Sequence, residues 1–234
     1  MKHAVVSRPD RWRRRLLNHS VMNALNNRTD SDASPPIICI CGASASGKSH
    51  FANDLALEFE AIGLSALLLH CDNYYRSPYK PDPIEGFDTI NAIEVDALLV
   101  DVLAARDRTL TRLRQYDMES RAVDYRAIDE RFLSDGYDLI VVEGAYGPQA
   151  ILPRVLIDVV VYLETPLWRR IRRRLPRDVR DRGRSPWSVL NQMLWQMLPG
   201  ERRFIVPLRQ QAHVVVRDSV EGCRAVLARI TGHG

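Results

Sequence analysis

No stretch of the 234 residues approaches the roughly 18 to 20 consecutive apolar residues that a membrane-spanning helix requires. The basic N-terminus is not followed by an apolar signal region either, so a cytoplasmic protein without a membrane partner is expected. Cysteine is scarce. Cys39, Cys41, Cys71 and Cys223 include no C-x-x-C pair, and three of them lie in or beside apolar runs, which predicts buried free thiols instead of a metal site or disulfides. The six histidines (His3, His19, His50, His70, His213, His233) lie far apart without ligand spacing, which argues against a metal cluster and leaves His70 and His213 as strand-end residues. Aromatic residues make up 7%, and Trp168, Trp187 and Trp195, at helical positions, are expected to pack instead of forming a stacking platform. Met193 and Met197, four apart, are read as core. No N-K-x-D guanine-reading motif occurs, which disfavours a GTPase.

The charge that is present is unevenly spread. Residues 1 to 34 carry seven Lys/Arg and three Asp, and residues 169 to 184 carry nine Arg and two Asp. With +4 overall, the remainder has a net charge of −7. A nucleic-acid binder more often spreads basic residues over a face; one short arginine cluster on an acidic body suggests a local polyanion such as a triphosphate, with no nucleic-acid partner.

At 46% hydrophobic and 26% charged residues, the composition suits one large globular domain. Residues 1–36 read as a basic lead-in, with a helix from about Arg11 to Leu25 and a polar linker closed by Pro35 and Pro36. From residue 37 to 234, short apolar runs alternate with helical segments. The predicted strands are Ile37 to Cys41, Ala66 to His70, Leu139 to Val142, Val159 to Leu163 and Val214 to Val216. Fully apolar strands separated by helices predict a doubly wound α/β domain with a parallel sheet covered on both faces.

Residues 42 to 49 read Gly-Ala-Ser-Ala-Ser-Gly-Lys-Ser, a complete G-x-x-x-x-G-K-S between a strand and an apolar-periodic helix. Small residues let successive backbone N–H groups curl round a β-phosphate at a helix N-terminus; Lys48 reaches the β/γ oxygens and the Ser49 hydroxyl takes Mg²⁺. The nucleotide-binding candidates are therefore Gly42, Ala43, Ser44, Ala45, Ser46, Gly47, Lys48 and Ser49, with His50 following. Asp72, just past the second strand, faces the γ-phosphate region and suits a base that accepts the proton of an attacking hydroxyl; otherwise it is a strand-end cap. Glu143 ends an apolar strand where an acid holds Mg²⁺ or its water; otherwise it is a solvated loop residue.

Residues 169 to 184 read RRIRRRLPRDVRDRGR. As a solvated face this arginine density is self-repelling, whereas a polyphosphate would neutralise it. The stretch to about residue 186 is read as an arginine lid that forks onto phosphate and excludes water, with a helix break at Pro176.

These residues resemble the uridine kinase and phosphoribulokinase family, most of all its uridine-cytidine kinase branch, colinearly from about Ile37 to Val216. Besides the P-loop, the likeness rests on Asp72-x-x-Tyr75 with Arg76, Phe87-Asp88, Tyr116-Asp117, Glu143-Gly144, Arg177-Asp178 to Arg182-Gly183-Arg184, and Gln192, Pro199, Phe204, Pro207 and Ala212. The resemblance implies ATP with Mg²⁺ and a small-molecule acceptor, foremost uridine or cytidine, with self-association possible. It implies Asp72 as base, Ser49 and Glu143 on the metal side, and Arg173, Arg177, Arg182 and Arg184 as lid contacts. Asp88 would hold ribose hydroxyls, Tyr116, Arg170 and Gln192 would surround the acceptor, and the nucleotide base would lie near Arg217. The departures fall on the acceptor side. Thr89-Ile90-Asn91 stands for His-Pro-Asp, Ala212-His213 for an alanine-aspartate pair, and Arg121 lies near the place of a base-reading histidine, which favours an anionic acceptor. Another acceptor, such as a sugar phosphate or a pantothenate-like compound, is the competing enzyme reading; a nucleotide-binding regulatory module is the competing non-enzyme one.

Overall fold

The computed structural model describes residues 34–80, 82, 89–151, 157–180, 183 and 185–230. The expected helix over residues 11 to 25, and the candidates Asp88, Arg182 and Arg184, lie outside these.

Five strands form one parallel sheet: β1 (Ile37–Gly42), β2 (Ala66–His70), β5 (Leu139–Glu143), β6 (Val159–Leu163) and β7 (Val214–Val216), in the order β2-β5-β1-β6-β7. All five are apolar runs, but only the inner strands β1, β5 and β6 are buried on both faces. β1 shows how: Ile37, Cys39 and Cys41 face the layer of helix α2 (Val95–Arg106) and α4 (Gly147–Ile151), while Ile38 and Ile40 face α1 (Lys48–Ala61) and α7 (Ser219–Ile230). Alternate side chains of one strand thus feed two cores, which makes the domain doubly wound. The four cysteines are buried and free. Because the strands are parallel, their C-terminal ends share one edge, and the P-loop, Asp72, Glu143, Glu164 and Arg217 all follow strands there.

Two antiparallel strands, β3 (Arg112–Tyr116) and β4 (Val123–Ala127), form a separate hairpin that the apolar-run reading did not predict. Each strand carries charged residues, and β4 is mostly exposed. The hairpin is held by long-range contact: Arg114 is buried, forks to Glu94 (2.7 Å) and the Tyr75 carbonyl (3.3 Å), and lies over the Tyr74 ring. A short helix, α3 (Glu130–Ser134), follows, capped by Asp129.

Helix α5 (Leu167–Arg180) runs through Pro176 without the expected break. Proline forfeits one backbone hydrogen bond, but a side-chain clasp spans the position: Asp178, fully buried, accepts from Arg174 Nε (3.1 Å) and Arg177 Nε (3.0 Å). Helix α6 (Pro186–Gln192) continues into π-type turns at Met193–Met197 and Glu201–Ile205. Val189, Met193 and Met197 pack on Leu167, Ile171 and Leu175 of α5, as expected for the two methionines. The tryptophans do not pack. Trp168, Trp187 and Trp195 are 59%, 77% and 73% exposed, because that inner face is already filled and they project from the other side.

Candidate active site

Between β1 and α1 the chain closes round the phosphate cradle. Gly42 and Gly47 have φ of +148° and +101°, and a Cβ on Gly42 would stand 2.7 Å from the Leu163 carbonyl, so both positions favour glycine. The loop's carbonyls are engaged from outside. Lys48 Nζ donates to Ala43 (3.1 Å), Arg170 Nη1 to Ser44 (3.3 Å), and Arg173 Nη1 and Thr165 Oγ1 to Ser46 (2.9 and 3.0 Å). In a planar trans peptide the next N–H points the opposite way, so the amides of Ser44, Ala45 and Gly47 are turned from these partners. The first turn of α1 carries no acid, which leaves its positive end to an anion. His50 projects outward, 83% exposed, 3.7 Å from Asp54.

A cleft of about 1280 Å³ opens from the cradle. Lys48, Ser49, Asp72, Tyr75, Tyr116, Arg121, Arg173, Arg177, Gly183 and Gln192 line it, so most of the described candidates converge. Asp72 sits in the turn Cys71–Tyr74, reached by solvent through the mouth but walled by protein. Its carboxyl is held above the ordinary value, first by lost hydration and then by the Glu143 charge, against the pull of Lys48, His70 and Arg177. Glu143 is buried, which by itself disfavours ionisation. The His70 hydrogen bond, the Lys48 and His70 charges and the Ser49 bond together outweigh that and lower its pKa. Ser49 Oγ donates to Glu143 Oε1 at 2.8 Å, and His70 Nδ1 meets the same oxygen at 2.8 Å.

Ser49 and Glu143 form a hard oxygen pair beside the cradle. No group of three or more His, Cys, Asp or Glu suited to a metal occurs among the described residues. That donor set fits Mg²⁺, which takes one or two carboxylates and completes its shell with phosphate oxygens and water.

Gly144 explains itself sterically. A Cβ there would lie 2.3 Å from Cys71 Cβ, inside the turn that carries Asp72. Gly144→Ala is expected to displace that turn and cost roughly 10²-fold in kcat, the scale of a 1 Å misplacement, with a smaller change in ATP affinity; steady-state kinetics of the variant check it.

On the acceptor side, Tyr116 lies 5.7 Å from Tyr75, ring to ring, and its N–H donates to Asn73 Oδ1 (3.3 Å). Arg121, with φ +58°, occupies the hairpin turn, its carbonyl accepting from Ser77 Oγ (2.6 Å). Asp117 accepts from the N–H groups of Glu119 and Ser120, both 2.7 Å, which shapes that turn. Gln192 Oε1 accepts from Arg174 Nη2 (3.2 Å).

Two arginines of α5 are buried. Arg170, expected beside the acceptor, is 5% exposed and turns its fork to both oxygens of the equally buried Glu201, which lines the cleft where Arg170 itself does not. Arg174, given no role by sequence, is a buried hub on Asp178, Gln192 and Ser44. His70 was also passed over. Its signal, the end position of a strand, becomes meaningful only when β5 is known to lie beside β2. Arg217 stands after β7, outside the cleft lining, where it and Arg209 grip Glu164 (2.6 and 2.9 Å). These bonds, that of Arg217 first, lower the Glu164 pKa.

Residues 37–222 match the phosphoribulokinase / uridine kinase family. The uridine kinase of Staphylococcus haemolyticus (strain JCSC1435) is 30% identical over 190 residues, 80% of this chain and 89% of the relative. That of Staphylococcus aureus (strain JH9) is 32% identical over 186 residues, 78% and 87% of the two chains. A solved structure described as a possible uridine kinase from Bacillus stearothermophilus aligns with TM-score 0.57 at 22% identity, over 87% of this chain and all of the other. One from Silicibacter sp. TM1040 aligns with TM-score 0.62 at 16% identity, covering 86% and 98%. At these identities the structural likeness establishes the fold.

Proposed function

The chain belongs to the phosphoribulokinase / uridine kinase family and is an ATP-dependent small-molecule kinase, and from that premise we propose that it transfers the γ-phosphoryl of ATP to the 5′-hydroxyl of uridine or cytidine. The observation that carries the chemistry is Asp72, which shares one cleft with Lys48 and the acceptor-side Tyr116. The acceptor oxygen forms its bond to the γ-phosphorus as the bond to the β–γ bridging oxygen breaks. Asp72 takes the hydroxyl proton, and ADP leaves with the electron pair. Lys48, Arg173 and Arg177 offset charge on the phosphoryl oxygens, and the arginine helix, with residues 182 and 184, serves as the lid that excludes water. Ser49 and Glu143 would hold Mg²⁺, which would supply neutralisation of phosphate charge. Kinship to named uridine kinases at about 30% identity supports the acceptor.

Arg121 in the cleft lining favours a second reading, a phosphorylated or otherwise anionic acceptor. ADP release from Mg-ATP across uridine, cytidine, pentoses, sugar phosphates and pantothenate separates the two. If uridine is the substrate, turnover is fast with nucleosides and Arg121→Ala changes its KM little. If the acceptor is anionic, only charged compounds turn over and Arg121→Ala raises KM by roughly 10- to 100-fold, the worth of one charge-assisted hydrogen bond. If none of these acceptors raises turnover above the basal rate, both readings fall.

A further inference from the structure

Glu143 is 3% exposed, and an ionised carboxylate so deeply buried needs donors. Two meet it, Ser49 and His70, and both use Oε1. No other hydrogen-bond partner of Glu143 occurs among the described residues, so Oε2 is left for the metal side. The His70 contact is built into the sheet. β2 and β5 are parallel neighbours whose register sets His70 directly opposite Glu143, and residues so paired point to the same face. Ser49 can ligate the ion through an oxygen lone pair and still donate its O–H to Oε1, so it supplies one of the two donors and His70 the other, the one that does not touch the ion.

We propose that His70 is a positioning residue: it anchors Glu143 through Oε1, and so orients the carboxylate that the cradle offers to Mg²⁺. The inference rests on the kinase reading above. An outer partner of this kind typically governs metal affinity by 10- to 100-fold without touching the ion.

His70 can be probed from outside. Its side chain is 36% exposed and borders a second cavity of about 610 Å³, which runs between α1 and the β3–β4 hairpin and is large enough to admit a free imidazole.

The test measures Mn²⁺ binding to the ADP complex of the full chain by electron paramagnetic resonance, beside metal-free ADP binding by calorimetry. His70→Leu and His70→Ala are expected to weaken Mn²⁺ binding by about 10- to 100-fold with metal-free ADP affinity nearly unchanged. His70→Asn, whose amide donor falls near Nδ1, should retain most of it, and added imidazole should restore His70→Ala. A merely structural role would lower thermal stability in all three variants without asparagine or imidazole rescue. Unchanged Mn²⁺ binding in His70→Leu, or an asparagine variant as weak as the leucine one, overturns the proposal. If the wild-type chain binds no Mn²⁺ with ADP, the metal reading itself falls and His70 falls with it, an outcome distinct from loss of the His70 effect alone.

Discussion

Asp72→Asn is expected to lower kcat by about 10³-fold, within the range that a positioned general base supplies, while ATP affinity stays nearly unchanged. Asparagine keeps the size of the side chain in the Cys71–Tyr74 turn but cannot accept the proton of the attacking hydroxyl. Single-turnover measurements with and without acceptor distinguish this from a binding defect. The pH dependence carries a second signature. The folded chain holds the Asp72 carboxyl above its ordinary value, so the base form is present above that raised pKa and lost as pH falls through it. The acid limb of kcat/KM therefore lies higher than an ordinary carboxylate would place it, and it disappears in Asp72→Asn. The same shift has a cost. An acid that is harder to ionise in the folded than in the unfolded chain loses the fold stability as pH rises through its unfolded value. Asp72→Asn should accordingly have a Tm at neutral pH equal to or above the wild type while being nearly inactive. A variant that keeps its turnover would remove Asp72 from the reaction.

Glu201→Ala is expected to destabilise the fold by about 3 to 5 kcal/mol, the cost of leaving one member of a buried ion pair uncompensated. Arg170 is 5% exposed, its fork is taken by both Glu201 oxygens, and Nη1 also donates to the Ser44 carbonyl of the P-loop. Without Glu201 that guanidinium stays buried with one backbone acceptor. Urea denaturation of Glu201→Ala, Arg170→Met and Arg170→Met/Glu201→Leu gives the test. Each single change should lower the midpoint, and the double change should recover most of it, since apolar groups of similar volume can replace a buried pair at little cost. Additive losses in the double variant would contradict this account. Activity adds a readout: the pair ties the arginine helix to the turn at Glu201–Ile205, so the double variant, if stable, should still bind nucleotide less tightly through a loosened Ser44.

Local chemistry and periodicity made much of this protein legible. Small residues and glycine in a fixed spacing before Lys48-Ser49 specify the cradle wherever a strand and a helix flank it. The inner strands β1, β5 and β6 were legible because burial on both faces permits only apolar runs, and the partly buried edge strands β2 and β7 because their short runs are aliphatic as well. Asp72 and Glu143 followed, since residues just past parallel strands must gather at one edge. The hairpin did not announce itself: Arg114 and Gln115 look like a polar loop until Glu94 and Tyr75 bind the arginine fork. Nor did the three outward tryptophans, because helical spacing gives a face but not its direction, and the facing sides of the two segments were claimed by Leu167, Ile171 and Leu175 on one and Val189, Met193 and Met197 on the other. Pro176 weakened the helix locally, yet the Asp178 clasp across it prevailed.

By itself, the sequence determined the phosphate cradle, the parallel sheet and the class of reaction, because each depends on residues close together in the chain or on burial that every strand reports alone. Only the tertiary structure decided that Arg170 turns inward to Glu201, that Arg174 holds Gln192, and that His70 stands against Glu143. The first two depend on how the arginine helix packs on the helical segments after it, and the third on which strand lies beside which. β5 inserts between β1 and β2 some seventy residues after His70, and no local pattern encodes that neighbour.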